Sequence, residues 1–209
     1  FHGGTDLVPC LEQALVQLNT AMVHSQEHVF DGLAAEPERL MSLTGASGVA
    51  ILEDKVLHRY GECPPPDEIR ALYQWFKASG ESVLSSHHLS TVYAPAAAYK
   101  DIASGLLAMT LPKPVDNAVL WFRKEVKESI PWSGDPKKPL NLEPSATGLR
   151  LSPRTSFELW KVEMDGISSK WSHGDLFAAN DLRRSALEND LARQVLREQQ
   201  AVRARDELV

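Results

Sequence analysis

The feature that most constrains the fold of this chain is a long interruption in the spacing of its apolar residues. Between residues 124 and 153 the helical and strand periodicities both disappear, and helix-breaking residues recur, at Pro131, Gly134, Pro136, Pro139, Pro144 and Gly148. Proline fixes φ and lacks a backbone donor, so neither a long helix nor a central strand can run through this segment. Segments this long inside a compact domain are usually functional or disordered. Aromatic residues on both flanks favour a protruding β-hairpin arm over disorder.

Before this interruption the apolar spacing predicts helices. One stripe, made of Leu7, Leu11, Leu15, Leu18 and Met22, has the spacing of a long first helix. Pro37 is tolerated in the first turn of a helix and predicts a short second one, with Leu40 and Leu43 on its buried side. Asp67 is placed to cap a third helix that ends at Gly80 and buries Ile69, Leu72, Tyr73 and Phe76.

Short apolar runs between these helices predict strands. Residues 49–52 and 56–60 are separated by a turn at Asp54, and two further runs cover residues 104–111 and 118–123. Helices interspersed with neighbouring strands predict an α+β fold, with helices packed on a largely antiparallel sheet.

The C-terminal residues predict one long helix. Ser172 and Asp175 form an S-x-x-D start signal, and no proline or glycine occurs after Gly174. Isolated helices this polar are marginal without packing, so we expect the later apolar residues to face a second copy in a parallel homodimer. These seam residues are Leu187, Leu191, Val195 and Val202.

Composition excludes several classes of protein. The chain has 209 residues, 43% of them hydrophobic and 24% charged, which excludes a disordered, collagen-like or disulfide-dense chain. A net charge of −6 disfavours a nucleic-acid binder. No run of apolar residues is long enough to span a bilayer, and the first residues do not resemble a signal peptide. Two distant cysteines, Cys10 and Cys63, fit a reducing compartment, so we expect a cytoplasmic protein.

The titratable residues do not form a pattern typical of catalysis or metal binding. The pairs His24–His28 and His87–His88 lack further ligands at suitable spacing, which favours polar surface positions. Ser156 has no G-x-S-x-G context, and glycine-rich phosphate loops are absent. We therefore expect no enzymatic activity and no metal site in this fragment.

Three ordered motifs carry a specific resemblance. They are Trp121-Phe122-Arg123-x-Glu125, Trp132-Ser133-Gly134-Asp135-Pro136-x-Lys138-Pro139 and Leu151-Ser152-Pro153-Arg154-Thr155-Ser156-Phe157-Glu158-x-Trp160. Together with the strand at residues 103–108 and the Trp171-Ser172 pair, they resemble the PHY domain of phytochromes, the red/far-red photoreceptors. The sequence departs from the family's pattern at Ser133, where glycine is usual, and at Val162, where glutamate is usual.

This resemblance implies a fold similar to GAF domains and a tongue at about residues 122–163 that seals the bilin pocket of a GAF domain in the same parent chain. Arg154 would pair with an aspartate of that GAF domain in one photostate, and Ser156 would replace it in the other while the tongue changes between hairpin and helix. The signalling residues implied for the tongue are Trp132, Gly134, Pro153, Arg154, Ser156, Phe157 and Trp160.

The resemblance also implies a division of the chain and a larger parent. Residues 1–175 would form the PHY domain, and residues 176–209 an output helix that leads to an effector. The ending from Arg203 to Val209 is similar to the segment before the phosphoacceptor helix of sensor histidine kinases, so a kinase effector is expected. The parent would bind biliverdin or another bilin in its GAF domain, and neither cysteine of this chain is expected to hold it.

Two other classes of protein remain as alternatives. A free-standing GAF-like domain could bind a small ligand or cyclic nucleotide, which would require a closed apolar pocket over the sheet with convergent polar groups. A structural coiled-coil dimeriser would explain only the last helix.

Overall fold

A computed structural model of the chain describes residues 7–25, 28–112, 116–126, 142–145, 148–151 and 165–206. Its α-helices are α1 (Leu7–His24), α2 (Val29–Ala34), α3 (Pro37–Thr44), α4 (Pro66–Ser79), α5 (Leu89–Val92) and α6 (His173–Asp206), and a 3-10 helix covers Ala94–Tyr99. Helices α1, α3, α4 and α6 confirm the four helices predicted from the sequence. The short helices α2 and α5 were not predicted.

One five-stranded antiparallel sheet forms the centre of the domain. Its strands are β1 (Gly48–Glu53), β2 (Val56–Gly61), β3 (Val83–Ser86), β4 (Gly105–Met109) and β5 (Asn117–Arg123), in the spatial order β2-β1-β5-β4-β3. Every neighbouring pair is antiparallel. The predicted α+β fold with an antiparallel sheet and a long C-terminal helix is confirmed.

Local sequence explains where several elements begin and end. Pro37 occupies the first turn of α3, and Gly45 ends that helix in the left-handed conformation, with a φ of 60°. Gly80 ends α4 in the same way. The prediction that Asp67 caps α4 is wrong, because Pro65 is the capping residue and the helix begins at Pro66. Asp67 instead lies in the first turn, where its negative charge interacts favourably with the positive end of the helix dipole.

Two apolar layers cover the two faces of the sheet. On one face, α1, α2, α3 and α6 pack against alternate strand residues, including Ile51 and Trp121. The indole of Trp121 is fully buried and donates a hydrogen bond to the Leu40 carbonyl at 2.9 Å. On the other face, α4 and the segment around α5 cover the intervening residues, including Leu52 and Phe122. The central strands β1, β4 and β5 therefore read as continuous apolar runs, because both of their faces are buried.

A second, two-stranded sheet lies within the segment where apolar periodicity stops. Strands β6 (Leu142–Ser145) and β7 (Gly148–Leu151) pair antiparallel, with Leu142 opposite Leu151 and Ser145 opposite Gly148. This pairing confirms the predicted β-hairpin for these residues.

Within the described part of the chain, none of the helices combines the length and the apolar character needed to cross a membrane.

Candidate functional site

The seven tongue residues predicted to signal lie outside the described residues. They are Trp132, Gly134, Pro153, Arg154, Ser156, Phe157 and Trp160. The structure does describe the two short segments that flank them, residues 123–126 and 165–171. We call these two segments the stem, because residues 123–126 begin the predicted tongue (residues 122–163) and residues 165–171 follow it.

The two sides of the stem are hydrogen-bonded to each other. The backbone N–H of Val126 donates to the Ile167 carbonyl at 2.8 Å, and the N–H of Gly166 donates to the Glu125 carboxylate at 2.6 Å. The Glu125 carboxylate therefore holds the returning backbone. A displacement on either side of the stem must displace the other side as well.

An ion pair ties the returning side of the stem to the domain body. Lys100, just after the 3-10 helix, donates to the carboxylate of Asp165. This hydrogen bond holds the pKa of Asp165 below its usual value and raises the pKa of Lys100. Both side chains are accessible to water, so the pair orients the stem more than it stabilises the fold.

A glycine in β4 lets the returning side of the stem lie directly on the sheet. The N–H of Ser168 donates to the His87 carbonyl at 2.8 Å, which places Ser168 beside Gly105. A Cβ atom at residue 105 would lie 2.2 Å from the Ser168 hydroxyl oxygen, well inside contact distance. A side chain at residue 105 would collide with the side chain of Ser168, so only glycine fits this position unless the stem shifts.

Arg123 connects the outgoing side of the stem to the start of α6. It is the last residue of β5, and its side chain is 13% exposed. One guanidinium nitrogen, Nη2, donates to the Asp175 carboxylate at 3.1 Å and to the Thr44 carbonyl. The other, Nη1, donates to the Lys170 carbonyl at 2.8 Å. The guanidinium also lies over the ring of Trp171, 3.9 Å from its centre.

Asp175 belongs to the capping box that starts α6. The N–H of Ser172 donates to the Asp175 carboxylate at 2.7 Å, and the N–H of Asp175 donates to the Ser172 hydroxyl at 3.1 Å. This arrangement confirms the start signal predicted from S-x-x-D. The same carboxylate oxygen, Oδ2, accepts from Ser172 and from Arg123, so one atom joins the cap of the helix to the end of β5.

Trp171 anchors this junction on its other side. Its indole N–H donates to the Ser86 carbonyl, at the end of the edge strand β3, at 3.0 Å. The junction therefore links β5, β3, the stem and α6 through Arg123, Trp171 and Asp175. Because the Arg123–Asp175 pair is largely shielded from water, separating it would leave two uncompensated charges. The end of β5 and the start of α6 should consequently move together.

From this junction α6 continues along the core and then leaves it. Its buried side, made of Ala178, Ala179, Leu182 and Ala186, packs on the sheet. Further along, Arg193 donates to the carbonyl and hydroxyl oxygens of Ser25, both at 2.7 Å, at the end of α1. Of the predicted seam residues, Leu187 packs against its own core, whereas Leu191, Val195 and Val202 are each more than half exposed.

The titratable residues considered for other chemistry are dispersed. Across the described ranges, no group of three or more His, Cys, Asp or Glu residues could hold a metal ion. Burial raises the pKa of the Cys63 thiol, which donates to the Tyr60 carbonyl at 3.2 Å, so this thiol is a weak nucleophile at neutral pH. The side chain of Cys10 lies outside the described residues.

The face of the sheet that a GAF-like ligand would occupy is filled by side chains. Leu52, Leu72, Phe76, Leu106 and Leu120 pack together there with at most 1% of their surface exposed. Among the described residues, these side chains fill the space over this face of the sheet.

Comparison with known proteins decides the family. The sequence model of PHY, described as the phytochrome region, matches residues 12–195. The chain belongs to the PHY family. This confirms the resemblance carried by the Trp-Phe-Arg and Pro-Arg-x-Ser-Phe motifs.

Individual relatives of this PHY domain are phytochromes. Cyanobacterial phytochrome A of Nostoc sp. is 40% identical over 172 residues, which cover 81% of this chain and 22% of that protein. Cyanobacterial phytochrome B of the same organism is 32% identical over 182 residues, covering 86% of this chain and 23% of the relative. The chain thus spans less than a quarter of the length of these relatives.

Solved structures show the same fold. A bacteriophytochrome from the photosynthetic bacterium R. palustris matches 90% of this PHY domain and 37% of its own chain, with a TM-score of 0.59 and 27% identity. The photosensory core module of the Stigmatella aurantiaca phytochrome matches the same shares with a TM-score of 0.66 and 23% identity.

Sequence reasoning missed the central pair of this site. Arg123 appeared only as part of a motif, and Asp175 only as a helix cap. The two residues are 52 positions apart, and no spacing rule predicts their contact. The available signal was indirect: an arginine ends a strand that precedes the tongue, and an acidic capping residue begins the helix that follows it.

Proposed function

We propose that this PHY domain relays the state of its tongue to a C-terminal effector within a red/far-red photoreceptor. The observation that supports the relay most directly is the contact of Arg123, at the foot of the tongue, with Asp175, in the first turn of α6. Family membership supports the photoreceptor context. The parent would be a homodimer in the cytoplasm, with a GAF domain as the tongue's partner.

The tongue would close the bilin pocket of that GAF domain. A guanidinium offers a planar pair of donors that can hold a carboxylate in two parallel hydrogen bonds, as expected for Arg154 in one photostate. The Ser156 hydroxyl offers a single, weaker bond in the other. Two alternative partners for one aspartate create the two-state element that a switch requires. The bilin itself, biliverdin or a related one, would belong to the GAF domain.

The relay would begin at the stem. When the tongue changes its structure, the two sides of the stem would move together, because Val126 and Ile167 are hydrogen-bonded to each other. Arg123 is the next fixed point, and it holds both the Lys170 carbonyl and Asp175. Movement at this point shifts the first turn of α6, and the helix extends the shift over 34 residues, roughly 50 Å at 1.5 Å per residue.

The effector would be a histidine kinase, as the similarity of residues 203–209 to the segment before a phosphoacceptor helix suggests. A kinase that works as a parallel dimer would receive two copies of α6. The PHY domain itself would then be a signalling domain, with the chemistry in the effector.

The experiment that tests the tongue assignment uses the full-length photoreceptor. Arg154→Ala should leave the PHY fold intact and alter photoconversion or dark reversion, because water gains access to the bilin pocket. The matched control is Arg150→Ala, an arginine of β7 outside the Pro-Arg-x-Ser-Phe motif. Unchanged spectra and reversion kinetics in Arg154→Ala, or equal changes in both variants, would contradict the assignment.

A further inference from the structure

Helix α6 has a second ordered face, directly away from its core. At about 100° per residue, Phe177, Arg184, Leu191, Val195 and Val202 fall within an arc of about 40°. We call these five residues the outer stripe. Ala178, Leu182 and Ala186, which pack on the core, and Arg193, which contacts the end of α1, fall on the opposite side of the helix. The outer stripe is therefore clear of the domain body.

The apolar part of the outer stripe is exposed in this chain. Phe177, Leu191, Val195 and Val202 each have more than half of their surface accessible to water. Every residue from 194 to 206 is exposed, so this last part of α6 is not buried against the described body of its own chain. A polar helix of this kind is marginal without a partner.

A second copy of the same helix fits this stripe. Val195 and Val202 are seven residues apart, and Leu191 precedes Val195 by four, which are the a and d spacings of a parallel two-stranded coil. In a parallel pair each residue meets its own counterpart at the same level. Leu191, Val195 and Val202 would then form apolar layers between the two helices.

Arg184 is a charged residue in the otherwise apolar outer stripe, in the part of α6 that packs on the domain body. It lies midway between Phe177 and Leu191 and is ion-paired within its own helix, with Asp181 three residues earlier and with Glu188 at 3.4 Å four residues later. In a parallel pair, the two Arg184 side chains would meet across the axis. Like charges at one level repel, and bringing them together would strip water from both of them and from their carboxylate partners.

We propose that the Asp181–Arg184–Glu188 cluster marks the point where the paired α6 helices separate. The helices pair from Leu191 onward, and the cluster keeps the first turns apart. This inference rests on the proposed homodimer and adds the point at which its two α6 helices separate, which we call the branch point. Separation would leave the segment from Asp175 to Glu188 free to shift with its own domain, while the paired part moves as a unit towards the effector.

The test is Arg184→Leu in the 209-residue chain, measured by sedimentation equilibrium. This change would extend the apolar seam towards Phe177 and should tighten the dimer at least about tenfold, the effect of burying one large apolar side chain from each subunit. The matched control is Ala204→Leu, which adds an exposed leucine to α6 on the side opposite the outer stripe and should leave the dimer constant within about twofold.

The outcomes separate this inference from the proposed homodimer. Unchanged affinity in Arg184→Leu, or equal tightening in both variants, would overturn the branch point and leave the homodimer standing. Monomers at all concentrations for the unmodified chain and for Arg184→Leu would overturn both. Circular dichroism of each variant confirms that α6 remains helical.

Discussion

The guanidinium of Arg123 and the carboxylate of Asp175 lie 3.1 Å apart, although 52 positions of sequence separate them. One residue ends the strand from which the tongue leaves, and the other belongs to the cap of the helix that leads out of the domain. Both side chains are largely buried, at 13% and 14% exposed. This pair gives the foot of the tongue a direct mechanical connection to α6.

The pair should contribute more to stability than the cap does. Asp175→Ala leaves Arg123 shielded without its counter-ion and should lower the free energy of unfolding by about 3–5 kcal/mol. Ser172→Ala removes only the capping hydroxyl and should cost about 1 kcal/mol. Urea unfolding of both variants measures the difference. Equal losses would show that Asp175 acts only as a cap.

The close approach of the stem to β4 predicts a steric effect. Gly105→Ala places a methyl group 2.2 Å from the Ser168 hydroxyl oxygen and should destabilise the domain by about 1–3 kcal/mol, because the stem must shift. Gly174→Ala is the matched control, since its Cβ would meet only the Ser172 hydroxyl at 3.5 Å within a helix. That change should be neutral or stabilise by up to about 1 kcal/mol. Similar effects at the two glycines would contradict this account of the stem.

The Lys100–Asp165 pair predicts a pH dependence at the stem. The pKa of Asp165 is lower in the folded state than in the unfolded state, because Lys100 donates to its ionised form. The contribution of this pair is therefore present above the unfolded pKa and is lost as pH falls through the folded pKa. Lys100→Met should raise the pKa of Asp165, as measured by NMR titration of the side-chain carboxyl.

A second pair of the same kind supplies the control for this titration. Lys77 donates to Asp116 at 2.6 Å and lowers the pKa of that carboxyl. Lys77→Met should therefore raise the pKa of Asp116 and leave that of Asp165 unchanged. If Lys100→Met leaves the pKa of Asp165 unchanged, the ion pair between Lys100 and Asp165 does not form in the stem.

The elements predicted well from sequence are those whose signal is local. The stripe through Leu15, Leu18 and Met22 predicts α1, and the capping box of Ser172 and Asp175 predicts the first turn of α6, because each depends on residues within a few turns. The edge strand β3 was missed, since Val83–Ser86 is short, half polar and only partly buried. Its place is set by pairing with β4, which no local pattern reveals.

The candidate site also contains residues that local motifs predict and a contact that depends on the tertiary structure. Family motifs within one segment predict the tongue residues around Arg154, which lie outside the described residues and stay a prediction. The contact of Arg123 with Asp175 depends on where β5 ends relative to the start of α6, and hence on the order of strands in the sheet. The antiparallel sheet was predicted, but its strand order was not.

The most direct test of the relay is Asp175→Asn in the full-length photoreceptor, with photoconversion spectra and light-dependent effector activity measured on the same preparation. Asparagine keeps the shape of the side chain and a capping oxygen but removes the charge that holds Arg123. Ser172→Ala is the control that weakens the cap without touching the pair. We expect normal photoconversion in both variants, with the light response of the effector lost or strongly reduced only in Asp175→Asn. A folded Asp175→Asn photoreceptor that keeps the full light response of its effector would show that the Arg123–Asp175 pair does not carry the relay.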